Sequence, residues 1–183
     1  MPTLFSLAEE IRRCTACPLY KSRLLAVPGE GPSNAKIMFI AEAPGEEENR
    51  QGLPFIGRSG KFLDELLKIA GIDRKDVFIT GACKCHPEHN RNPTVSELKK
   101  CKELWLNQQV ALIKPKLIVV LGRSALKSLL NKNKLSELQG KKITEGKQQY
   151  FITYHPSAGL RFPRFAKLMQ EDFKKLKRLK RFL

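Results

Sequence analysis

The sequence predicts an α/β fold: a three-layer αβα sandwich around a central, mostly parallel, four-stranded sheet. Three observations carry that expectation. Short apolar runs alternate along the chain with stretches of helical apolar spacing, as in strands joined by crossover helices. One of these runs, "KLIVVLG" at 116–122, is apolar without interruption from Leu117 to Leu121, as in a strand covered on both faces. The residues of unusual chemistry fall just after strands, at the edge where open α/β sheets build their sites.

The elements follow in order. Residues 4–14 have helix-like apolar spacing, and "KIMFIA" at 36–41 is the first strand. In residues 59–70, Phe62, Leu63, Leu66, Leu67 and Ala70 recur at helical intervals, and Gly71 stops the helix. "DVFIT" at 76–80 is the second strand, followed by an irregular stretch rich in Cys, His, Asn and Pro. Thr94 predicts a helix N-cap, completed as a capping box by Glu97, and that helix is expected to run to about residue 113. "KLIVVLG" is the third strand, "RSALKSLL" the next helix, and "QYFITY" the fourth strand, ending at His155. From Phe165 onward Leu168, Met169, Phe173, Leu176 and Leu179 share one side of a last helix.

At 183 residues the chain is expected to form one domain, 1–183, with a single ordinary core. The five-residue apolar run Leu117–Leu121 is far too short to span a bilayer, and the acid-containing N-terminus does not read as a signal peptide. A cytoplasmic protein without membrane association is expected. Against 18 Asp and Glu stand 34 Lys and Arg, a net charge of +16. Such a surplus is the footprint of a polyanion binder, most often nucleic acid. The tail "FKKLKRLKRFL" reads as a docked amphipathic helix with a basic face, with DNA or a partner helix as alternatives for that face.

Against that balance, "AEAPGEEENRQGLPFIGRSG" at 41–60 gathers Glu42, Glu46, Glu47 and Glu48 on one Gly/Pro-rich stretch. Either it is an acidic surface turn, or carboxylates and bare backbone are needed together at one place. Five cysteines in an intracellular chain point to metal or reactivity rather than disulfides. Cys14 and Cys17 form a C-x2-C pair, and Cys83, Cys85 and Cys101 lie near the same end of the sheet. Four thiolates suit zinc or an iron–sulfur cluster, and spacing alone chooses neither the metal nor between Cys83 and Cys85.

These motifs, in this order and over nearly the whole chain, resemble the family 4 uracil-DNA glycosylases. "AEAPGEEENRQGLPFIGRSG" looks like that family's first motif, "KCHPEHNRNPT" with Cys101 its cluster segment, and "TYHPSAGLR" its last motif. The resemblance implies a uracil-DNA glycosylase-like fold and a monofunctional N-glycosyl hydrolase. Such an enzyme flips uracil out of single- or double-stranded DNA and leaves an abasic site. It implies a [4Fe-4S] cluster on Cys14, Cys17, Cys85 and Cys101, with zinc as the alternative and Cys83 a spare thiol. A monomer is expected, with a sliding clamp as a candidate partner.

Residue by residue, the resemblance implies catalytic roles for His155, Glu42 and Asn90. His155 would donate to the base oxygen that gains charge. Glu42 would orient water, hold the loop through Asn90, or offset charge on the sugar. Ala43, Gly45, Glu48, Phe55 and Gly81 would bind the base, with Phe55 stacking on it and Glu48 a candidate for fixing the loop. Arg58, Ser59, Gly60, Ser157, Leu160 and Arg161 would meet DNA, with the turn before the helix at 59–70 gripping a phosphate and Leu160 as the wedge. The acidic loop would then serve a site that passes through a cation, while Glu46 and Glu47 read as solvated surface.

One position departs from the family pattern. Gly81 stands where the resemblance places a uracil-reading Asn, and glycine has no side chain to read a base edge. Release of another base, hypoxanthine or xanthine, is therefore an alternative. So is a non-catalytic or covalently trapping cluster protein, although His86 and His89 lie without the inserted basic loop of the trapping relatives.

Overall fold

The computed structural model describes residues 3–182. Strands β1 (Ile37–Ala41), β2 (Phe78–Gly81), β3 (Leu117–Leu121), β4 (Lys142–Glu145) and β5 (Gln148–Thr153) form one sheet in the order β2-β1-β3-β5-β4. The helices are α1 (Leu4–Arg13), α2 (Glu46–Gln51), α3 (Arg58–Ala70), α4 (Val95–Cys101), α5 (Asn107–Ile113), α6 (Arg123–Leu130), α7 (Leu135–Leu138), α8 (Pro156–Arg161) and α9 (Pro163–Leu179).

The pairs β1–β2, β1–β3 and β3–β5 are parallel, and β4–β5 is antiparallel. The sheet therefore has five strands, not the expected four. The additional strand, "KITE", has one apolar residue and is mostly exposed, so no alternation marks it. It exists because Gly146, at φ 59°, lets the chain turn back so that Glu145 pairs with Gln148. Helix α2 was likewise hidden, inside a stretch read as loop. Its first turn holds three glutamates, which suit a helix N-terminus electrostatically.

Alternation along the strands builds two cores. Met38, Ile40, Ile118, Val120 and Ile152 face one way, beneath α1, α4, α5 and α6. Ile37, Phe39, Ala41, Val119, Leu121 and Phe151 face the other way, beneath α3 and α9. Helices on both faces of a mostly parallel sheet give the expected three layers.

Polar contacts fix the helices that border the site. Thr94 caps α4 as its sequence predicts, accepting from the Glu97 amide at 3.2 Å while Glu97 accepts from the Thr94 amide at 2.7 Å. A π-helical turn at Lys102–Leu106 joins α4 to α5, so this helical stretch does run to Ile113. On the opposite face, Asp172 of α9 is fully buried and accepts from Gln139 and, at 2.7 Å, from the Thr153 hydroxyl. That contact ties α9 to the last residue of β5, two positions before His155.

Glu97 gives a pH-dependent handle on this framework. Arg91 donates to both its oxygens, at 2.7 and 2.9 Å, and with the Thr94 amide holds its carboxyl down at about 2. A carboxylate depressed in the folded state stabilises above the unfolded value of about 4.5 and loses that contribution as pH falls toward 2. Glu97→Gln is expected to cost about 2 kcal/mol at pH 7, and the gap in melting temperature to the parent should narrow steadily below pH 4.5. A gap independent of pH would show that the ion pair is not the source.

Candidate active site

A cavity of about 380 Å³ opens at the carboxyl edge of the sheet. Its lining brings together residues far apart in the chain: Glu42, Ala43, Gly45 and Glu48 after β1, Phe55, Arg58 and Ser59 at the start of α3, Gly81 at the end of β2, Asn90, and His155 and Ser157 after β5. Gly60, Leu160 and Arg161 are not part of the lining. The volume lies in the range of small-molecule pockets, roughly 300–1,000 Å³.

His155 follows β5 and caps α8. The Ser157 amide donates to its Nδ1 at 3.2 Å, and the Ser157 hydroxyl lies 2.8 Å from the same nitrogen. A backbone N–H can only donate, so Nδ1 is the acceptor and the ring proton sits on Nε2. Burial pushes the imidazole pKa down to about 4, Glu48 opposing and Arg161 adding to the shift. At neutral pH the ring is uncharged, with Nε2–H as its donor. Ser157, expected on DNA, is thus engaged with His155.

The His155 ring stacks against Phe55, with centroids 5.7 Å apart. Phe55 has a left-handed backbone, φ 52°, which a large side chain adopts only when its surroundings impose it. The surroundings are visible on both sides. Glu48 Oε1 accepts from the Ile56 and Gly57 amides at 3.0 and 2.9 Å. Arg74 donates to the Pro54 and Phe55 carbonyls at 2.7 and 3.2 Å and to Asp64 at 2.9 Å. Gly60 closes the clamp, because a Cβ there would lie 1.8 Å from the Phe55 carbonyl oxygen. Glu46 and Glu47 pair with Arg50 on the surface, in keeping with solvated side chains.

Glu42 accepts a hydrogen bond from the Ser124 hydroxyl on α6. Among the described residues no hydrogen bond joins Glu42 to Asn90. Asn90 lines the cavity with a left-handed backbone of its own, φ 55°. Nearby, His86 Nδ1 meets the Pro44 carbonyl at 2.9 Å and fixes the stretch that presents Ala43 and Gly45. At Gly81 an added Cβ would lie 2.5 Å from the Cys83 carbonyl oxygen, so an Asn there would require the turn to shift. Beneath that turn Lys84 is buried, donating to the Thr80 hydroxyl, the Gly81 carbonyl and Gln109 at 2.6, 2.8 and 2.6 Å. Burial lowers its pKa to about 8.

Arg74, Ser124 and Lys84 are not singled out by the sequence, and His86 is weighed there only for covalent trapping, not as a support for the Pro44 stretch. Lys84 leaves a trace as a lysine between two cysteines. The other three are ordinary polar residues whose partners in these contacts lie 19 to 82 positions away.

The expected ligand cysteines lie near one another: burial raises the Cys17 and Cys85 thiols, and neighbouring thiols add to the rise, Cys101 and Cys14 at Cys17, Cys101 and Cys17 at Cys85. Among the described residues no group of three or more His, Cys, Asp or Glu side chains is arranged to hold a single metal ion. Each of the four sulfurs has its own N–H donor. Trp105 donates to Cys14 at 3.3 Å and Arg23 to Cys85 at 3.1 Å, while backbone amides of Leu19 and Lys84 serve Cys17 and Cys101. Donors of this kind suit sulfur that carries negative charge. Cys83 differs: it is fully buried, and its hydrogen bond with the Cys101 sulfur, together with burial, raises its pKa and keeps it a thiol.

The model of the uracil DNA glycosylase superfamily matches residues 28–177. The chain is 41% identical to a type-4 uracil-DNA glycosylase of Sulfurisphaera tokodaii, over 98% of this chain and 86% of that protein. It is 43% identical to the type-4 enzyme of Saccharolobus solfataricus, over 97% and 86%. A Thermotoga maritima type-4 enzyme is 40% identical, over 93% and 91%. With its α/β sheet, the cavity at the carboxyl edge and this similarity along nearly its whole length, the chain belongs to the type-4 uracil-DNA glycosylases.

Proposed function

We propose that the chain removes uracil from DNA by hydrolysing the N-glycosidic bond, leaving an abasic site. The observation that carries this reading is His155, uncharged, with its one donor hydrogen on Nε2 beside the Phe55 ring. A base inside a duplex is out of reach, so the nucleotide is flipped into the cavity and stacks on Phe55. As the bond from the base to C1′ breaks, negative charge gathers on the base oxygen and positive charge on the sugar. Nε2–H donates to that oxygen, and a neutral donor does so without trapping the leaving base as an ion pair. The Glu42 carboxylate, steadied by Ser124, orients the water whose oxygen bonds to C1′; the proton that water sheds passes to solvent, which in turn protonates the departed base anion. Glu48 and Glu42 together put negative charge near the sugar cation, while the basic surface attracts the phosphates.

The geometry also suits an assignment of Glu48, Arg74 and Gly60 to positioning Phe55, with Asn90, Ala43 and Gly45 lining the base site. Leu160 and Arg161, on α8 beyond the lining, are assigned to DNA as wedge and phosphate contact. Arg58 and Ser59 at the start of α3 are assigned to a phosphate. Cys14, Cys17, Cys85 and Cys101 are proposed to hold a [4Fe-4S] cluster, supported by the N–H donor on each sulfur. Bound there, the cluster would tie the segment after α1 to α4 and to the turn below Gly81.

End-labelled oligonucleotides carrying uracil, hypoxanthine or xanthine, followed by alkali, test the reaction. Fast release confined to uracil is expected, and release of only another base would overturn the reading. His155→Ala should slow release by roughly 10²- to 10³-fold. Because the His155 pKa is lowered to about 4, the rate should be level from pH 6 to 8 and fall only as pH approaches 4. A steady rise on acidification through pH 6 would mean that the charged ring is the donor.

Arg74→Ala removes both donors to the Phe55 loop. We expect KM to rise about tenfold, more than kcat falls, with a stability loss of about 1–2 kcal/mol. Equal kcat and KM to the parent would show that Glu48 alone holds the loop. For the thiols, iron and acid-labile sulfide near four of each per chain are expected. Zinc in their place would replace the cluster assignment.

A further inference from the structure

We propose that Phe162 is a stacking platform for the DNA base next to the flipped nucleotide, extending the Leu160–Arg161 contact along a single strand. This deepens the uracil-excision reading and rests on it for where the strand runs.

Phe162 sits between α8 and α9 in extended backbone, φ −135° and ψ 112°. Its amide donates to the Ala158 carbonyl at 3.0 Å, its carbonyl accepts from the Phe165 amide at 2.9 Å, and Pro163 follows. The backbone is therefore fixed on both sides, yet the residue is 51% exposed. A large apolar ring left half in water on a fixed backbone is poor packing for a fold and good preparation for a partner, because no backbone freedom need be lost on binding.

The neighbours identify the partner. The Phe162 and Phe165 rings meet edge to face, centroids 5.9 Å apart at 85°, and the Phe165 centroid lies 4.4 Å from that of Tyr154, the residue before His155. An aromatic ladder thus runs from the end of the catalytic strand out to the surface. Leu160, two residues before Phe162, is 41% exposed, and the charge of Arg161 is close enough to His155 to lower its pKa. Arg164 lies over the Phe165 ring, 4.6 Å from its centroid. Among the described residues neither Arg161 nor Arg164 forms an ion pair with a carboxylate. Open aromatic surface flanked by unneutralised arginines fits a base with phosphates on either side, the combination that binds single strands by stacking and charge. An apolar protein partner would leave those arginines buried without counter-charge.

The test uses the full-length protein and a single-stranded oligonucleotide with a tetrahydrofuran abasic analogue, flanked on one side or the other by 2-aminopurine. Binding should quench 2-aminopurine at one flank only. Phe162→Leu keeps an apolar contact with Phe165 but lacks a π face. It should melt with the parent, lose the quenching and bind about tenfold more weakly. Phe162→Trp should keep both. A folded Phe162→Leu protein with unchanged quenching and Kd would overturn the proposal. So would a Phe162→Leu variant that loses self-association or vesicle binding while DNA affinity stays the same. Uracil release by the parent is measured in parallel. Its absence would count against the excision reading, whereas the quenching decides the role of Phe162 by itself.

Discussion

Two backbone amides and two backbone carbonyls hold the ring on which the site depends. Glu48 accepts from Ile56 and Gly57, and Arg74 donates to Pro54 and Phe55. Between them the chain is forced into a left-handed residue that carries a phenyl ring, a conformation that such a residue does not choose alone. With the loop so fixed, Phe55 faces His155 and α3 begins at Arg58. Gly60 permits this only by lacking a side chain. A carboxylate at the start of α2 and a guanidinium after α3 thus determine where the Phe55 ring stands. This is how a basic protein uses some of its few acids: Glu48 is a structural ligand for amides rather than a surface charge.

Buried polar links join that site to the rest of the fold. Lys84 reaches the end of β2, the Gly81 carbonyl and Gln109 of α5, from a position between the cysteines at 83 and 85. Whatever orders the thiols therefore also orders the turn beneath the cavity. Asp172 does the equivalent on the other face, holding Thr153 and so the exit of β5 toward His155. Each link is a satisfied buried charge, which costs desolvation and returns a single geometry when every partner is present. The carboxyl edge of the sheet is held on both sides, and the turn from Leu160 to Arg164 lies beyond the cavity lining.

Much of this was legible in the chain. Unbroken or alternating apolar runs disclosed four of the five strands, because burial of a strand leaves a hydrophobic signature. Thr94 and Glu97 disclosed a helix start, because a capping box is local chemistry. β4 was not legible: an exposed edge strand buries almost nothing, and only its turn and its partner make it a strand. Helix α2 was hidden by the same lack of an apolar face. At the site, the motifs marked the stretches around Glu42, Phe55 and His155 but not what each side chain touches. Glu42 meets Ser124 rather than Asn90, and Ser157 turns to His155.

The sequence by itself determined the layer order, the basic surface, the family and the stretches that meet at one edge of the sheet. All of these follow from periodicity, charge and motif, which are properties of neighbours in the chain. Only the tertiary structure decided that His155 carries its proton on Nε2, that Arg74 and Glu48 clamp Phe55, that an added Cβ at Gly81 would strike the Cys83 carbonyl, and that Phe162 stands out beside two arginines. Those facts depend on distances between segments that the fold alone brings together. A hydrogen bond, a desolvated ring or a steric limit is set by the last ångström of approach, and no local pattern encodes that.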